Sequence, residues 1–282
     1  MNYRHVYHAG NHADVLKHAV LARAIEHLKK KDKPFRVIDA HAGAGAYALD
    51  GIEAGKTREW EGGIGKMSEV FAPEIEALLR PYREAVAALN PAGELRRYPG
   101  SPEVVAQLMR RQDRLIANEL HPDDNIALER HFLHDPRVTV TMLDAEVCVK
   151  SNLPPPERRG LILIDPSYEE SDEAERALRM LAQGTRRFAT GVFMLWYPVK
   201  GDNLAGRIVA SCTELALPGM LNVEMRIREA FKDGGLAGSG LIIVNPPWQL
   251  DEELRILAPA LASRLGLGEW GQAKVDWLLP PK

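Results

Sequence analysis

Short apolar segments that alternate with helical patterns are the feature that most constrains the fold of this chain. Four such segments cover residues 35–39, 114–119, 138–144 and 160–165. Residues 12–30, which precede them, repeat apolar side chains at the spacing of one helix face, and further helical stretches separate the segments. Strands that alternate with helices are typical of a largely parallel sheet covered by helices. The sequence therefore predicts an α/β fold.

The later part of the chain continues this alternation and then departs from it. Helices are expected near residues 171–183 and 203–215, and strands at residues 191–197, 222–228 and 239–245. The last two strands are joined through the glycine-rich residues 234–238, a connection too short to contain a helix. Strands joined in this way pair antiparallel. We therefore expect a doubly wound, mostly parallel sheet that closes with an antiparallel last strand.

Residues 51–99 interrupt the regular pattern. Residues 51–66 are polar and glycine-rich, and a pair of helices is indicated at residues 74–79 and 81–89. The next strand then arrives too late for a strand–helix–strand unit of about 30 residues. We interpret residues 51–99 as a small helical insertion subdomain within the first crossover.

Composition bounds the class of protein. The chain has 282 residues, of which 45% are hydrophobic, enough apolar material for a packed core. One domain over residues 1–282 is expected, opening with a helical segment at about 1–34. The two cysteines lie far apart, which excludes a cysteine-rich zinc module and favours a reducing compartment. Because we find neither a signal-peptide pattern nor an apolar run of about 20 residues, we expect a cytoplasmic protein without membrane contact.

Charge is the next constraint. The net charge of −3 excludes a generally basic surface, so any nucleic-acid site must be a local patch. Candidate phosphate contacts are the lysine cluster at residues 29–33 and the arginine pairs at 96–97, 110–111, 158–159 and 186–187. Most charge pairs are simply solvated, so we expect only a few of these to bind phosphate. Activity that depends on them should fall with added salt.

Acidic residues end the first four strands, at Asp39, Glu119, Asp144 and Asp165. Ligands of open α/β sheets bind outside the carboxyl ends of the strands, so these side chains can share one crevice. Acids at strand ends are also ordinary turn residues. Acidic residues at four successive strand ends, the first of them beside a glycine turn, favour a ligand site.

The glycine turn Gly43-x-Gly45-x-x-Ala48 matches a dinucleotide-binding fingerprint only loosely. A site for NAD needs an acid at the end of a second strand about 20 residues later, where this sequence has no strand character. The acid that does end a second strand is Glu119, and its carboxylate could accept both ribose hydroxyls of any adenosine ligand. The turn therefore need not hold a pyrophosphate.

The most specific signal is Asp165-Pro166-Ser167-Tyr168, directly after a strand expected to be buried. The amino group of adenine is a donor, so a pocket that holds it needs acceptors such as the Asp165 carboxylate and the carbonyl of Pro166. Tyr168 offers a ring on which a flipped base can stack. An amine that attacks a methyl sulfonium gains positive charge, which a carboxylate stabilises. The alternative interpretation is a tight turn with a surface tyrosine.

Other motifs are interpreted as structural. Asn245-Pro246-Pro247-Trp248 also follows an apolar strand, but it lies beyond the strand-end acids and away from the expected crevice. His8 and His12 have the spacing of a zinc pair, yet no third ligand is evident, so no metal is expected. His18 lies on the apolar face of the first helix, where a histidine is usually a core residue.

The quoted residues together resemble the RlmJ family, bacterial S-adenosylmethionine-dependent enzymes that methylate N6 of one adenine in 23S ribosomal RNA. The resemblance covers essentially the whole chain, including a helical insertion. Its most specific part is the N-terminal block of residues 3–18. The other matching segments are residues 39–45, 98–102, 118–122 and the Asp165 motif with Glu169.

This resemblance implies a Rossmann-like class I methyltransferase fold, S-adenosylmethionine as cofactor, and direct methyl displacement. The implied cofactor contacts are His18, His41, Ser101, Glu119, Asp144, Ala145 and Asp165. The implied substrate contacts are Tyr3, His5 and Lys17, beside Pro166 and Tyr168. Asp165 is the implied catalytic acceptor. We expect 23S rRNA as the partner and a monomeric protein. The family usually reads Asp-Pro-Pro-Tyr, so Ser167 is a departure that restores a backbone N–H and loosens the turn.

Three alternatives stay open from the sequence. A methyltransferase for DNA adenine or for a protein glutamine would use the same chemistry. A nicotinamide-dependent oxidoreductase would use the glycine turn to bind its nicotinamide cofactor. A non-catalytic adenosine-binding module would bind the cofactor without transferring methyl.

Overall fold

The computed structural model describes residues 4–231 and 235–281. The α-helices are α1 (His12–Lys29), α2 (Ile52–Thr57), α3 (Pro73–Ala88), α4 (Ser101–Leu108), α5 (Pro122–Phe132), α6 (Ala145–Ser151), α7 (Glu173–Arg187), α8 (Leu204–Glu214) and α9 (Leu250–Leu265). The strands are β1 (Arg36–Asp39), β2 (Ala46–Ala48), β3 (Arg97–Pro99), β4 (Arg114–Asn118), β5 (Val138–Thr141), β6 (Gly160–Ile164), β7 (Val192–Val199), β8 (Met220–Arg226), β9 (Gly238–Val244) and β10 (Gln272–Leu279).

The central sheet has the strand order β10-β8-β9-β7-β6-β1-β4-β5. Strands β5, β4, β1, β6 and β7 pair in parallel. Strand β9 lies between β7 and β8 and pairs antiparallel with both. The expected mostly parallel sheet with an antiparallel closing pair is therefore confirmed.

The expectation that the strand at residues 239–245 is the last one is wrong. Helix α9 and strand β10 follow it, and β10 pairs antiparallel with β8 at the sheet edge. Polar Gln272, Lys274 and Asp276 alternate in β10 with Ala273, Val275 and Trp277, which pack against the core. This two-residue period is typical of a half-buried strand, so the signal is present in the sequence.

Two hydrophobic cores cover the two faces of the sheet. Helices α1, α3, α4 and α9 supply one core, and α6, α7 and α8 supply the other. Helix α1 is buried around most of its circumference, because it contacts α3, α4, α9 and β9. A helix surrounded in this way is a fixed part of the interior, so its polar residues are held where packing places them.

The region between β1 and β4 differs from expectation in its helices and in an additional small sheet. The expected pair of helices at 74–79 and 81–89 is the single helix α3, with Pro81 inside it. Pro81 removes one backbone donor, but Leu79, Tyr82 and Ala85 on both sides of it are buried and keep the helix packed. Strands β2 and β3 form a separate two-stranded sheet beside this region, which sequence analysis did not predict.

None of the helices within residues 4–231 and 235–281 has the length and apolar character needed to cross a membrane.

Candidate active site

A cavity of about 420 Å³ opens at the carboxyl ends of the central parallel strands. This volume lies within the range of about 300–1,000 Å³ found for small-molecule sites. Residues that follow β1, β4, β5, β6 and β7 line one side, and helix α1 with the segment before it lines the other. Of the residues singled out by the sequence, the cavity wall contains His5, Lys17, His18, His41, Ser101, Glu119, Asp144, Ala145, Asp165 and Pro166.

The strand-end acids do not all face the cavity. Glu119, Asp144 and Asp165 line it, whereas Asp39 lies fully buried behind the wall. Asp39 accepts hydrogen bonds from Ser101 Oγ at 2.6 Å and from the backbone N–H of His41 at 3.3 Å. Burial raises the pKa of Asp39 to about 7. Asp39 therefore holds Ser101 and His41 in place and does not offer its carboxylate to a ligand.

The glycine turn is bound to Glu119. The backbone N–H groups of Gly43 and His121 donate to the two carboxylate oxygens of Glu119 at 2.8 and 2.7 Å. Gly43 has φ +61°, and a Cβ atom there would lie 2.1 Å from Tyr47 Oη, so only glycine fits. Burial raises the pKa of Glu119, which these two donors oppose. The turn and the acid expected to share a ligand are thus in direct contact.

Asp144 and Ala145 begin helix α6. Asp144 Oδ1 accepts from the backbone N–H groups of Glu146 and Val147, at 2.9 and 3.2 Å, which caps the helix. Its other oxygen pairs with Arg176. Asp144 is consequently both a capping residue and part of the cavity wall, so the two interpretations of a strand-end acid hold together here.

His18 and His41 are both neutral residues of the wall. Burial lowers the pKa of His18 to about 3 and that of His41 to about 4. His41 Nδ1 accepts the backbone N–H of Asp165 at 3.1 Å, which fixes the start of the Asp165 motif. His18 Nδ1 lies 2.8 Å from Tyr98 Oη. Its Nε2 is buried, lies 4.0 Å from Asp14 Oδ1, and has no hydrogen-bond partner among the described residues. His18 is thus a core residue, as its spacing predicts, and also faces the cavity.

Lys17 joins helix α1 to the Asp165 motif. Its Nζ lies 2.5 Å from Asp165 Oδ2 and 2.8 Å from Asp14 Oδ1. Burial alone would lower the pKa of the Lys17 ammonium, but the two carboxylates raise it above its usual value. Lys17 is therefore a permanent buried cation shared by two acids. Sequence analysis singled out Lys17 and Asp165 but not their contact.

Asp14 is a site residue that sequence analysis missed. It is 1% exposed, and its Oδ2 lies 2.9 Å from His5 Nε2 and accepts the backbone N–H of Gly10 at 2.9 Å. Burial would raise the pKa of Asp14, but His5 and Lys17 hold it well below its usual range. Asp14 thereby connects the N-terminal segment to Lys17. Its position in the first turn of α1 by itself indicates only a favourable helix-dipole contact.

Pro166 and Ser167 continue the wall after Asp165. Pro166 is buried. Ser167 Oγ donates to the two carboxylate oxygens of Glu173, at 3.1 and 3.0 Å, and Glu173 is the first residue of α7. The residue that departs from the family pattern thus ties the turn to a helix, which offsets the loosening expected from the loss of a proline.

The ring of Tyr168 does not form part of the cavity wall that the described residues build. Tyr168 packs against the second core, and its hydroxyl donates to the carbonyl of Trp196 at 2.6 Å. The aromatic surface beside Asp165 is instead the indole of Trp196, whose ring centroid lies 5.9 Å from Lys17 Nζ. Trp196, Pro198 and Lys200 alternate along and just after β7 and face the cavity. Sequence analysis missed them, although their two-residue spacing is a usable signal.

Two further predictions concern residues at the start of the chain. Tyr3 lies outside the described residues. His5 lines the cavity and packs edge-on against Tyr47, with ring centroids 5.2 Å apart.

Within the described part of the chain, no cluster of three or more potential metal ligands occurs.

The motif at Asn245 is structural, as predicted. Its side-chain Nδ2 donates to the carbonyls of Ala189 and Gly191, both at 2.8 Å. Because β9 runs antiparallel to β7, Asn245 lies at the sheet edge opposite the cavity. Trp248 is 84% exposed and points away from any described pocket wall.

The buried titratable groups predict how stability depends on pH. Burial lowers the pKa of His12, His18 and His41 to about 4, 3 and 4, from 6.5 in the unfolded chain. Asp39 opposes them, since its pKa rises to about 7 from 3.8. At about pH 5 the unfolded chain therefore binds about two more protons than the folded chain.

We expect the free energy of unfolding to fall as the pH decreases from about 6.5 to about 4.5, by about 2.7 kcal/mol per pH unit from these four groups. Urea unfolding across this range measures the slope. His12 is the one of these three histidines that does not line the cavity. His12→Gln should therefore lower the slope by the contribution of about one proton without disturbing the cavity wall. Stability that stays flat or rises on acidification would contradict the assignment.

Strand order and cavity position together define the class of protein. A parallel sheet in the order β5-β4-β1-β6-β7, closed by an antiparallel strand inserted between β7 and β8, is the Rossmann-like class I methyltransferase fold. The cavity lies at the carboxyl ends of the strands, where this class of fold binds ligands.

The chain belongs to the RlmJ family. The family model described as "Ribosomal RNA large subunit methyltransferase D, RlmJ" matches residues 32–279. Ribosomal RNA large subunit methyltransferase J of Escherichia coli (strain K12) is 41% identical over 280 residues, which cover 99% of both chains. The protein of the same name from Haemophilus influenzae is 40% identical over 285 residues, again 99% of both chains.

A solved structure agrees with this fold over nearly the whole chain. The crystal structure of protein LPL1258 from Legionella pneumophila is similar, with a TM-score of 0.85 and 30% identity. The match covers 95% of this chain and 98% of that one.

Proposed function

We propose that this protein transfers the methyl group of S-adenosylmethionine to N6 of an adenine in 23S ribosomal RNA. Full-length similarity to two ribosomal RNA large subunit methyltransferases supports the substrate class. The observation that carries the chemistry is the position of Asp165 in the wall of the same cavity as Gly43, Glu119 and Trp196, where its carboxylate is paired with Lys17 at 2.5 Å. An adenine would enter as a flipped base, since a stacked base cannot reach such a cavity.

The residues around the glycine turn fit an adenosine cofactor. The buried Nε2 of His18 has no hydrogen-bond partner among the described residues, so a polar group of a ligand would satisfy it. The tight turn at Gly43 allows close backbone approach, and the Glu119 carboxylate beside it is an acceptor for ribose hydroxyls. S-adenosylmethionine supplies an activated methyl group when bound. The remaining cofactor contacts proposed are His41, Ser101, Asp144, Ala145 and Asp165.

Asp165 would act on the target amine. Its carboxylate accepts a hydrogen bond from the N6 amino group and orients the nitrogen lone pair toward the methyl carbon. As the N–C bond forms and the C–S bond breaks, positive charge develops on N6, which the Asp165 carboxylate stabilises. One amine proton must then leave, and the Asp165 carboxylate is the first acceptor within reach.

Lys17 and Asp14 would set the net charge of the group around the Asp165 carboxylate. One ammonium faces two carboxylates, so the group of three carries one net negative charge. Because Asp14 shares the ammonium, Asp165 keeps acceptor strength for the amine while Lys17 fixes its position. We therefore assign Asp14 and Lys17 positioning roles. Tyr3, His5, Lys17 and Pro166 stay the proposed RNA contacts, whereas Tyr168, which packs against the second core, is not assigned one.

The proposal is tested by methyl incorporation from labelled S-adenosylmethionine into deproteinised 23S RNA, duplex DNA and total cell protein. We expect label in the RNA, and mass spectrometry of the digested RNA should show N6-methyladenosine. Label in DNA or in glutamine residues of protein would overturn the proposal that RNA is the substrate. Binding of the cofactor without incorporation into any of the three would overturn the activity.

A further inference from the structure

Three of the cation clusters in the sequence come together at one edge of the molecule. The guanidinium of Arg110 donates to the carbonyls of Lys31 and Lys33, both at 3.0 Å. That of Arg159 donates to the carbonyls of Lys33 and Leu28, at 2.6 and 2.7 Å. We call the surface formed by residues 26–36, 110–114 and 157–159 the basic edge.

The basic edge lies opposite the cavity. Strands β1, β4 and β6 begin there, with Arg36 in register with both Arg114 and Gly160. The cavity lies at the other ends of the same strands. Strands of four or five residues separate the two by about 15 Å. A ligand in the cavity and a ligand on the basic edge therefore occupy different places.

The charge of the basic edge is opposite to that of the whole chain. Its three segments contain ten lysines and arginines and four acidic residues, a net charge of +6 in a chain whose net charge is −3. Several cations are already paired, such as Arg36 with Glu157 and Lys29 with Glu26. Lys30 is hydrogen-bonded to His27. Four other exposed cations have no side-chain partner among the described residues: Lys31, Lys33, Arg111 and Arg158.

Arg159 shapes the edge and also keeps it cationic, whereas Arg110 is paired with Asp113 at 2.9 Å. Arg159 donates only to main-chain carbonyls, which shape the loop after α1 without neutralising the guanidinium. Burial, and after it the nearby Arg110, lowers the pKa of Arg159. Arg159 therefore adds positive charge to the edge without a hydrogen-bonded carboxylate among the described residues.

We propose that the basic edge binds the phosphodiester backbone of a second segment of the RNA substrate, distinct from the segment that delivers the target adenine. This inference rests on the proposed function. Phosphate contacts of this kind add affinity and orientation without reading sequence. The enzyme would then select a folded RNA in which two segments are correctly spaced.

The test replaces the four unpaired cations by glutamine: Lys31→Gln, Lys33→Gln, Arg111→Gln and Arg158→Gln. The matched control removes four exposed cations that each face an acid elsewhere: Arg80→Gln, Arg226→Gln, Arg255→Gln and Lys274→Gln. Both variants have the same net charge. Binding of a long, structured 23S RNA fragment that contains the target adenine is measured as a function of salt concentration.

We expect the basic-edge variant to bind the long RNA at least about tenfold more weakly at moderate salt. The slope of log affinity against log salt should fall in magnitude by about 3, since each of the four lost phosphate contacts removes about 0.7–0.9. The control should retain the wild-type slope. A minimal hairpin around the target adenine should be methylated with the same kcat and KM by all three proteins.

Equal slopes for the basic-edge variant and the control would overturn the inference. So would equal weakening on the minimal hairpin, because that result would place the contact next to the target base. If the wild-type protein methylates neither RNA, the proposed function fails instead, and the salt slopes show whether the basic edge still binds RNA.

Discussion

Replacing Asp165 by asparagine is expected to lower turnover by at least about a hundredfold, the effect of removing one positioned transition-state partner. Asparagine keeps the size of the side chain and loses its charge. Its amide oxygen can still accept a hydrogen bond, but Lys17 competes for that oxygen. The negative charge that stabilises the developing positive charge on N6 is lost. Lys17 retains Asp14 at 2.8 Å, so the buried ammonium does not become unpaired.

Single-turnover methylation at saturating RNA and cofactor measures the effect of Asp165→Asn, and calorimetric titration with S-adenosylmethionine separates chemistry from binding. Cofactor affinity should change far less than turnover. Glu170→Gln is the control, since this exposed carboxylate lies in the same loop and outside the cavity wall. Turnover of Asp165→Asn within a few-fold of wild type would show that the carboxylate does not act on the amine.

The strands around the cavity could be predicted because their sequences carry local information. Residues 160–164 form a fully buried strand, and their uninterrupted apolar run indicates this directly. The change to an antiparallel connection could be inferred from the short glycine-rich stretch alone. Helix α3 was harder, since Pro81 looks like a boundary when only local rules are applied.

The pairings within the site could not be predicted in the same way. Lys17 and Asp165 are 148 residues apart, and their contact depends on how α1 packs against the sheet. Nothing in the spacing along α1 distinguishes Asp14 from an ordinary first-turn acid.

The four strand-end acids also look equivalent in sequence. The structure separates Asp39 from the others, because Asp39 ends the middle one of the five parallel strands, between β4 and β6, and is fully buried.

Replacing Asp14 by asparagine should lower turnover about tenfold or more, although Asp14 does not contact the target amine. Without the Asp14 charge, Lys17 pairs with Asp165 alone, and the Asp165 carboxylate becomes a weaker acceptor. The free energy of unfolding should also fall, but by less than the ~3–5 kcal/mol expected when a buried charge is left unpaired, because Asp165 still pairs with Lys17. Loss of stability alone would not distinguish positioning from a purely structural role.

A double-mutant cycle with Lys17→Met makes that distinction. In the Lys17→Met background, Asp14 is a buried carboxylate without its ammonium, so Asp14→Asn should leave turnover unchanged or restore part of it. The coupling measured in both turnover and urea unfolding should reach about 1–3 kcal/mol, and Lys17→Arg, which keeps the cation, should retain the effect of Asp14→Asn. If Asp14 served only to hold helix α1 in place, its replacement would cost the same with or without the lysine, and the two variants would be additive.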